Sequence, residues 1–156
     1  SACKEAFTKQ FHAFRADWRV VAFDLPGHGV SENGDPERTY NVPAYAEVAE
    51  AVIDALGLDA PVVFGWSLGG YVALELAARG QRPVAGVAIC GTQPLALVPE
   101  DFAASMDASS HLILAGKQYF TAEETRLFAW SVTAPLSDDS AFLHHNLPRH
   151  DGRARA

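Results

Sequence analysis

Apolar residues in the first half of the chain alternate between two periods. Phe7, Phe11 and Phe14 recur at helical spacing, with Lys4, Glu5, Lys9 and Gln10 on the other face. Residues 3 to 16 therefore predict a helix, capped by Ser1, with its phenylalanines in the core. Trp18 to Phe23 is a short apolar run that predicts a strand. Tyr45, Val48, Ala49, Val52, Ile53 and Leu56 return to helical spacing, opened by Asn41 as N-cap with Pro43 in the first turn and closed by Gly57. Pro61 to Phe64 predicts the next strand. Tyr71 to Ala78 follows, apolar nearly all round, as a helix buried against the sheet and closed by Gly80. Val84 to Cys90 predicts a third strand, broken by Gly91-Thr92-Gln93-Pro94.

Helix and strand alternate three times with long crossovers and no hairpin signals. That order predicts an α/β protein with a parallel sheet and helices on both faces. Ligands of such sheets bind outside the carboxyl ends of the strands, where the loops after Asp24, Ser67 and Gly91 belong. Past residue 95 strands disappear, and Ser109 to Phe120, Ala122 to Val132 and Asp139 to Leu147 predict helices. The expected division is a core over 1–94 and a helical cap over 95–156. Apolar cap residues, among them Met106, Leu112, Leu114, Phe120, Phe128, Trp130 and Phe142, either pack the cap or line an acyl pocket; Phe128 and Trp130 are the pocket candidates.

Composition narrows the partners. The 156 residues carry a net charge of -7 with no Lys/Arg cluster, which argues against nucleic acid and anionic membrane surfaces. No apolar stretch is long enough to span a bilayer. Cys3 and Cys90 are too few for a disulfide framework; Cys90, in an apolar run, reads as a small buried hydrophobe, and a reducing cytoplasm is the default compartment. His144, His145 and His150 lack accompanying Cys, Asp or Glu ligands, so no metal is expected and a solvated surface is the reading. Oligomeric state is left open.

The chemistry concentrates in Gly65-Trp66-Ser67-Leu68-Gly69-Gly70. Strand, then Gly-x-Ser-x-Gly, then helix is the form of a nucleophile elbow. A serine at so sharp a turn is strained, with its hydroxyl above the sheet, and the backbone packs so closely that Gly65 and Gly69 tolerate almost no side chain. The Leu68 amide lies at the helix N-terminus, suited to a developing oxyanion. In the loop after Asp24, two glycines and a proline are turn chemistry, with Asp24 and Ser31 able to bind loop amides. His28 reads as a residue holding that turn rather than as a base, and His12 as a half-exposed surface histidine.

With Asp24-Leu25-Pro26-Gly27-His28-Gly29-Val30-Ser31 ahead of this elbow, the chain resembles the α/β-hydrolase fold superfamily. The run Trp18 to Gly29, Asp35 to Tyr40, Val62 to Gly70 and Asp151 to Arg155 is, more finely, similar to α/β-hydrolase-type N-acyl-homoserine lactone lactonases. The resemblance implies a cofactor-free hydrolase of ester or lactone bonds, with Ser67 as nucleophile. It also implies a carboxylate and then a histidine later in the chain. His12 and His28 precede the serine; His111, His144, His145 and His150, with Asp138 and Asp139, fall in the cap. With no strand before the cap histidines, no acid or base partner is present, and the loop of the family's third strand precedes this sequence, so the chain resembles an internal fragment and alone is expected to be inactive. Serine at position 67 separates it from dehalogenases and epoxide hydrolases of this fold, which place aspartate there. Aryl esterases, perhydrolases and carbon–carbon bond hydrolases remain open, as does a non-catalytic binding protein.

Overall fold

The computed structural model describes residues 2–93, 111–133 and 141–155. In chain order these form a 3-10 turn (Lys4–Phe7), α1 (Thr8–Phe14), a helical turn (Pro36–Thr39), α2 (Val42–Ala55), β1 (Val62–Trp66), α3 (Leu68–Arg79) and β2 (Gly86–Cys90). A 3-10 segment (His111–Gly116), α4 (Ala122–Thr133), α5 (Ala141–Asn146) and two final 3-10 turns (Leu147–Arg149, Gly152–Ala154) complete the described chain. Two compact units result, one from residues 1–36 with 106–156, the other from 37–105.

The second unit is a βαβ arrangement. β1 and β2 pair in parallel, from Val62 opposite Gly86 to Trp66 opposite Cys90. α3, the crossover between them, packs on both strands and against α2. Of the predicted face of α2, Tyr45, Ala49 and Ile53 are buried, joined by Ala46; Val48 and Val52 are half-buried, and Leu56 at the helix end is exposed. Val72, Ala73 and Leu76 of α3 are buried. Asn41 caps α2, its side-chain oxygen accepting from the Ala44 N–H at 2.9 Å. Gly57 and Gly80, at φ 58° and 61°, take the left-handed turn that ends each helix. Arg79 reaches Glu47 and Glu50, and Arg82 reaches Asp54, tying α2 to the α3 end.

Trp18 to Phe23 forms no strand. A strand exists only where a neighbour pairs with it, and among the described residues the ladder holds β1 and β2 alone. Trp18, Val21 and Phe23 are instead exposed.

In the first unit the core is Phe128, Ala129, Leu143 and Leu147, with Leu114, Ala115, Phe120 and Val132 packed against it. The phenylalanines of α1 are not part of it: Phe11 and Phe14 are exposed. Periodicity fixes which residues share a helix face, whereas burial needs an element to cover that face. The predicted helix over 3–16 is shorter, a 3-10 turn leading into seven α-helical residues. The segment from 111 is 3-10 rather than α, and the last helix ends at Asn146 because Pro148, with no N–H to donate, tightens the chain into a 3-10 turn. Cys90 departs from its expected burial and is exposed, and Cys3 is buried with its thiol pushed up to about 12, by burial first and by Glu5 second. Ser1, Met106, Asp138 and Asp139 lie outside the described residues, as do the side chains of Leu112, Phe142 and His144. No described helix is long and apolar enough to cross a membrane.

Candidate active site

Ser67 stands between β1 and α3 at φ 54°, ψ -119°. Besides Ala60 it is the only non-glycine at positive φ among the described residues. A side chain held there stores about 1–3 kcal/mol of backbone strain, which persists only where surrounding contacts over-determine it. Its N–H donates to the Cys90 carbonyl at 2.9 Å, one step beyond the parallel ladder, and its own carbonyl accepts from the Gly70 N–H at 2.9 Å and the Thr92 hydroxyl at 2.8 Å. The Ser67 side chain is exposed.

Two glycines make the turn sterically possible. A Cβ on Gly65 would overlap the Gly69 carbonyl, and one on Gly70 would overlap the Thr92 hydroxyl and lie 2.7 Å from the Thr92 Cβ. Gly69 differs from its expected role, since a Cβ there would meet nothing within 4 Å. Its backbone, not its missing side chain, is what Gly65 approaches. Leu68 opens α3, so its N–H has no carbonyl within the helix to bond. Trp66 lies beside Gly91, whose positive φ of 60° turns the chain away from β2.

The Asp24 loop, in the first unit, is held by its own bonds. Asp24 is buried and accepts from the Lys4 N–H at 2.6 Å, the Lys4 Nζ at 2.7 Å and the Val30 N–H at 3.1 Å. Burial pushes its carboxyl up, but the bonds from Lys4 and Val30 outweigh it and leave it below the usual value. Gly29 leaves no room for a side chain beside that carboxylate, and the Ser31 hydroxyl donates to the Asp24 carbonyl at 2.7 Å.

His28 holds this turn, as expected, with Nδ1 at 3.1 Å from the Pro26 carbonyl. The surprise is its neighbour. His150, expected on a solvated surface, is 8% exposed and packs edge-on against His28 with ring centroids 4.0 Å apart. Both ring nitrogens of His150 are buried without a hydrogen-bond partner. Burial holds both imidazoles well below their ordinary value, His28 to about 4.

The Asp151 to Arg155 run is structural in the same unit. The Asp151 N–H donates to the Gly27 carbonyl at 2.8 Å, and its carboxylate pairs with Arg153. Arg155 donates to the Lys117 and Gln118 carbonyls and lies over the Phe120 ring at 4.4 Å. Of the pocket candidates, Phe128 is committed to the core against Phe120, while Trp130 is 64% exposed. His12 is exposed, with an edge contact to Phe11. No group of three or more His, Cys, Asp or Glu among the described residues could hold a metal ion. Thr92 and the burial of His150 had no signal in the sequence beyond a hydroxyl residue following a strand and a histidine before a turn.

The family model described as "alpha/beta hydrolase fold" matches residues 2–153. The chain belongs to the alpha/beta hydrolase fold family. It is similar to the N-acyl homoserine lactonase AidH, solved with N-butanoyl homoserine, with a TM-score of 0.87 and 35% identity over 99% of this chain and 55% of that one. Over 90 residues it is 43% identical to a pimeloyl-[acyl-carrier protein] methyl ester esterase of Aromatoleum aromaticum, covering 57% of this chain and 33% of the esterase. An esterase from Exiguobacterium antarcticum, 20% identical with a TM-score of 0.73, shares the fold. The chain thus spans about a third of that curated relative and about half of the lactonase.

Proposed function

We propose that this chain carries the nucleophile of a serine hydrolase acting on ester or lactone bonds, with N-acyl homoserine lactones as the substrate class. The observation that carries the reading is the strained backbone of Ser67 between a parallel strand and a helix N-terminus. A fold has no packing reason to keep a serine at that cost, and an exposed hydroxyl beside unpaired helical amides is what acyl transfer requires. Similarity to the lactonase over 99% of the chain supports the choice of substrate class.

In this chemistry Ser67 Oγ attacks the lactone carbonyl carbon as a general base takes its proton. The Leu68 N–H stabilises the oxyanion. The ring C–O bond breaks, the leaving alkoxide takes up the proton, and water then attacks the acyl-serine, returning the serine and releasing an acyl homoserine as one molecule. The histidines that follow Ser67 all belong to the cap segment on this reading, with no strand before them, so the isolated chain is expected to turn nothing over. On the same reading, residues 1–94 belong to the hydrolase core and 95–156 to its cap. Trp130, the exposed aromatic of α4, stays the better of the two pocket candidates.

The test is proton release on lactone-ring opening, with long- and short-chain acyl homoserine lactones. It uses protein expressed from the complete reading frame beside Ser67→Ala. Turnover that vanishes in Ser67→Ala supports both nucleophile and substrate class. Hydrolysis of acyl methyl esters without lactone opening would favour the second reading, a carboxyl methyl ester esterase, suggested by the 43% identity to that relative. Fluorophosphonate failing to label Ser67 in the complete protein would favour a binding protein.

A further inference from the structure

Ser67 and Leu68 share one peptide unit. The unit is planar and trans, so the Ser67 carbonyl and the Leu68 N–H point in opposite directions and turn together. Whatever holds the carbonyl therefore aims the N–H. Two donors hold it, the Gly70 N–H and the Thr92 hydroxyl. The first comes with any helix start. The second is a side chain from the loop after β2, outside both elements that Ser67 joins.

We propose that Thr92 is the positioning residue for the Ser67–Leu68 peptide, fixing the nucleophile's strained conformation and the aim of the Leu68 N–H at once. The inference rests on the reading of Ser67 as nucleophile. Three observations converge on it. The Thr92 Oγ1 lies 2.8 Å from the Ser67 carbonyl and 3.3 Å from that of Cys90, so its single proton serves the nearer Ser67 carbonyl. Gly70 is the residue whose missing side chain leaves Thr92 its place. The Cys90 carbonyl receives the Ser67 N–H, so the end of β2 grips Ser67 on both sides, through its amide and through its carbonyl. A hydrogen bond accepted by the carbonyl also polarises the peptide and strengthens the N–H at its other end as a donor. Without the hydroxyl, the turn keeps its backbone bonds but loses the side-chain bond that resists rotation of the peptide.

The effect belongs to the transition state, because the Leu68 N–H meets full negative charge only there. Removing an oxyanion donor outright costs roughly 100- to 1000-fold in kcat, so mis-aiming one should cost about 10- to 100-fold. Thr92→Val keeps the shape and removes the hydroxyl; Thr92→Ser keeps the hydroxyl. In protein from the complete reading frame, Thr92→Val should lower kcat about 10- to 100-fold, with KM unchanged within about twofold, and slow fluorophosphonate labelling of Ser67 in parallel. Thr92→Ser should stay within about threefold of the parent. Should Val prevent folding, Thr92→Ala is compared with Thr92→Ser in the same way. A Thr92→Val enzyme with unchanged kcat beside a dead Ser67→Ala overturns the role of Thr92 and leaves the nucleophile standing. Thr92→Ser falling as far as Thr92→Val also overturns it, assigning the effect to methyl packing. Activity surviving in Ser67→Ala overturns both.

Discussion

Replacing His150 with Phe should stabilise the protein at neutral pH and remove about half of its sensitivity to mild acid. At pH 7 both rings of the His28–His150 pair are neutral, and the two His150 nitrogens are buried without partners. An unsatisfied buried polar group costs about 1–3 kcal/mol, against about 1 kcal/mol for the larger ring, so Phe should gain about 0–2 kcal/mol. The acid effect follows from linkage. Both folded values lie below the ordinary 6.5, so their contribution is complete above that pH and is lost as pH falls from it toward the folded values. A ring held neutral in the fold but free to charge when unfolded loses about 2 kcal/mol between pH 7 and pH 5, and two such rings lose about 4 kcal/mol.

That figure depends only on the rings staying neutral in the fold at pH 5. His28 should stay so in His150→Phe, because its depression comes first from burial. The Pro26 carbonyl and Asp24 oppose it, and Arg155 adds to it slightly. Besides burial, His28 and Arg155 disfavour protonation of His150 and Asp151 favours it. Urea unfolding at pH 7 and pH 5, for parent and variant, reads the effect directly. The variant's advantage should widen by about 2 kcal/mol at pH 5. An advantage that is equal at both values would refute the claim that His150 is buried neutral.

Four further substitutions probe the same units. Gly69→Ala enters open space on α3 and should be neutral or gain up to about 1 kcal/mol from helix propensity, whereas Gly70→Ala, forced against Thr92, should lose about 2 kcal/mol in thermal unfolding. Asp24→Asn removes the charge that two Lys4 donors and the Val30 N–H converge on and should cost about 3 kcal/mol at pH 7 by urea unfolding. The penalty should shrink as pH falls below the usual carboxylate range and the parent's own carboxyl protonates. Asn41→Ala deletes the α2 cap and should cost about 1 kcal/mol in the same measurement.

Sequence was most legible where a residue type answers a local backbone demand. Asn41 caps, Gly57 and Gly80 turn left-handed, and Ser67 between a β-branched run and an apolar helix is strained, because each depends on neighbours within a few positions. It was least legible where the outcome depends on what a distant segment covers. The stripe of Phe7, Phe11 and Phe14 has helical spacing, yet Phe11 and Phe14 are exposed. Trp18 to Phe23 has strand composition, yet a strand needs a partner. His150 looks solvated by composition and becomes buried because the Asp151 N–H is fixed to the Gly27 carbonyl, 124 positions back in the chain by numbering, which draws the two rings together. Thr92 is the sharpest case for the candidate site. Motif reading stops at Gly70, the last residue of the glycine-rich motif, but the steric reason for Gly70 is a hydroxyl beyond the next strand. A glycine in a motif marks a space, and only the residue that fills the space says what the glycine is for.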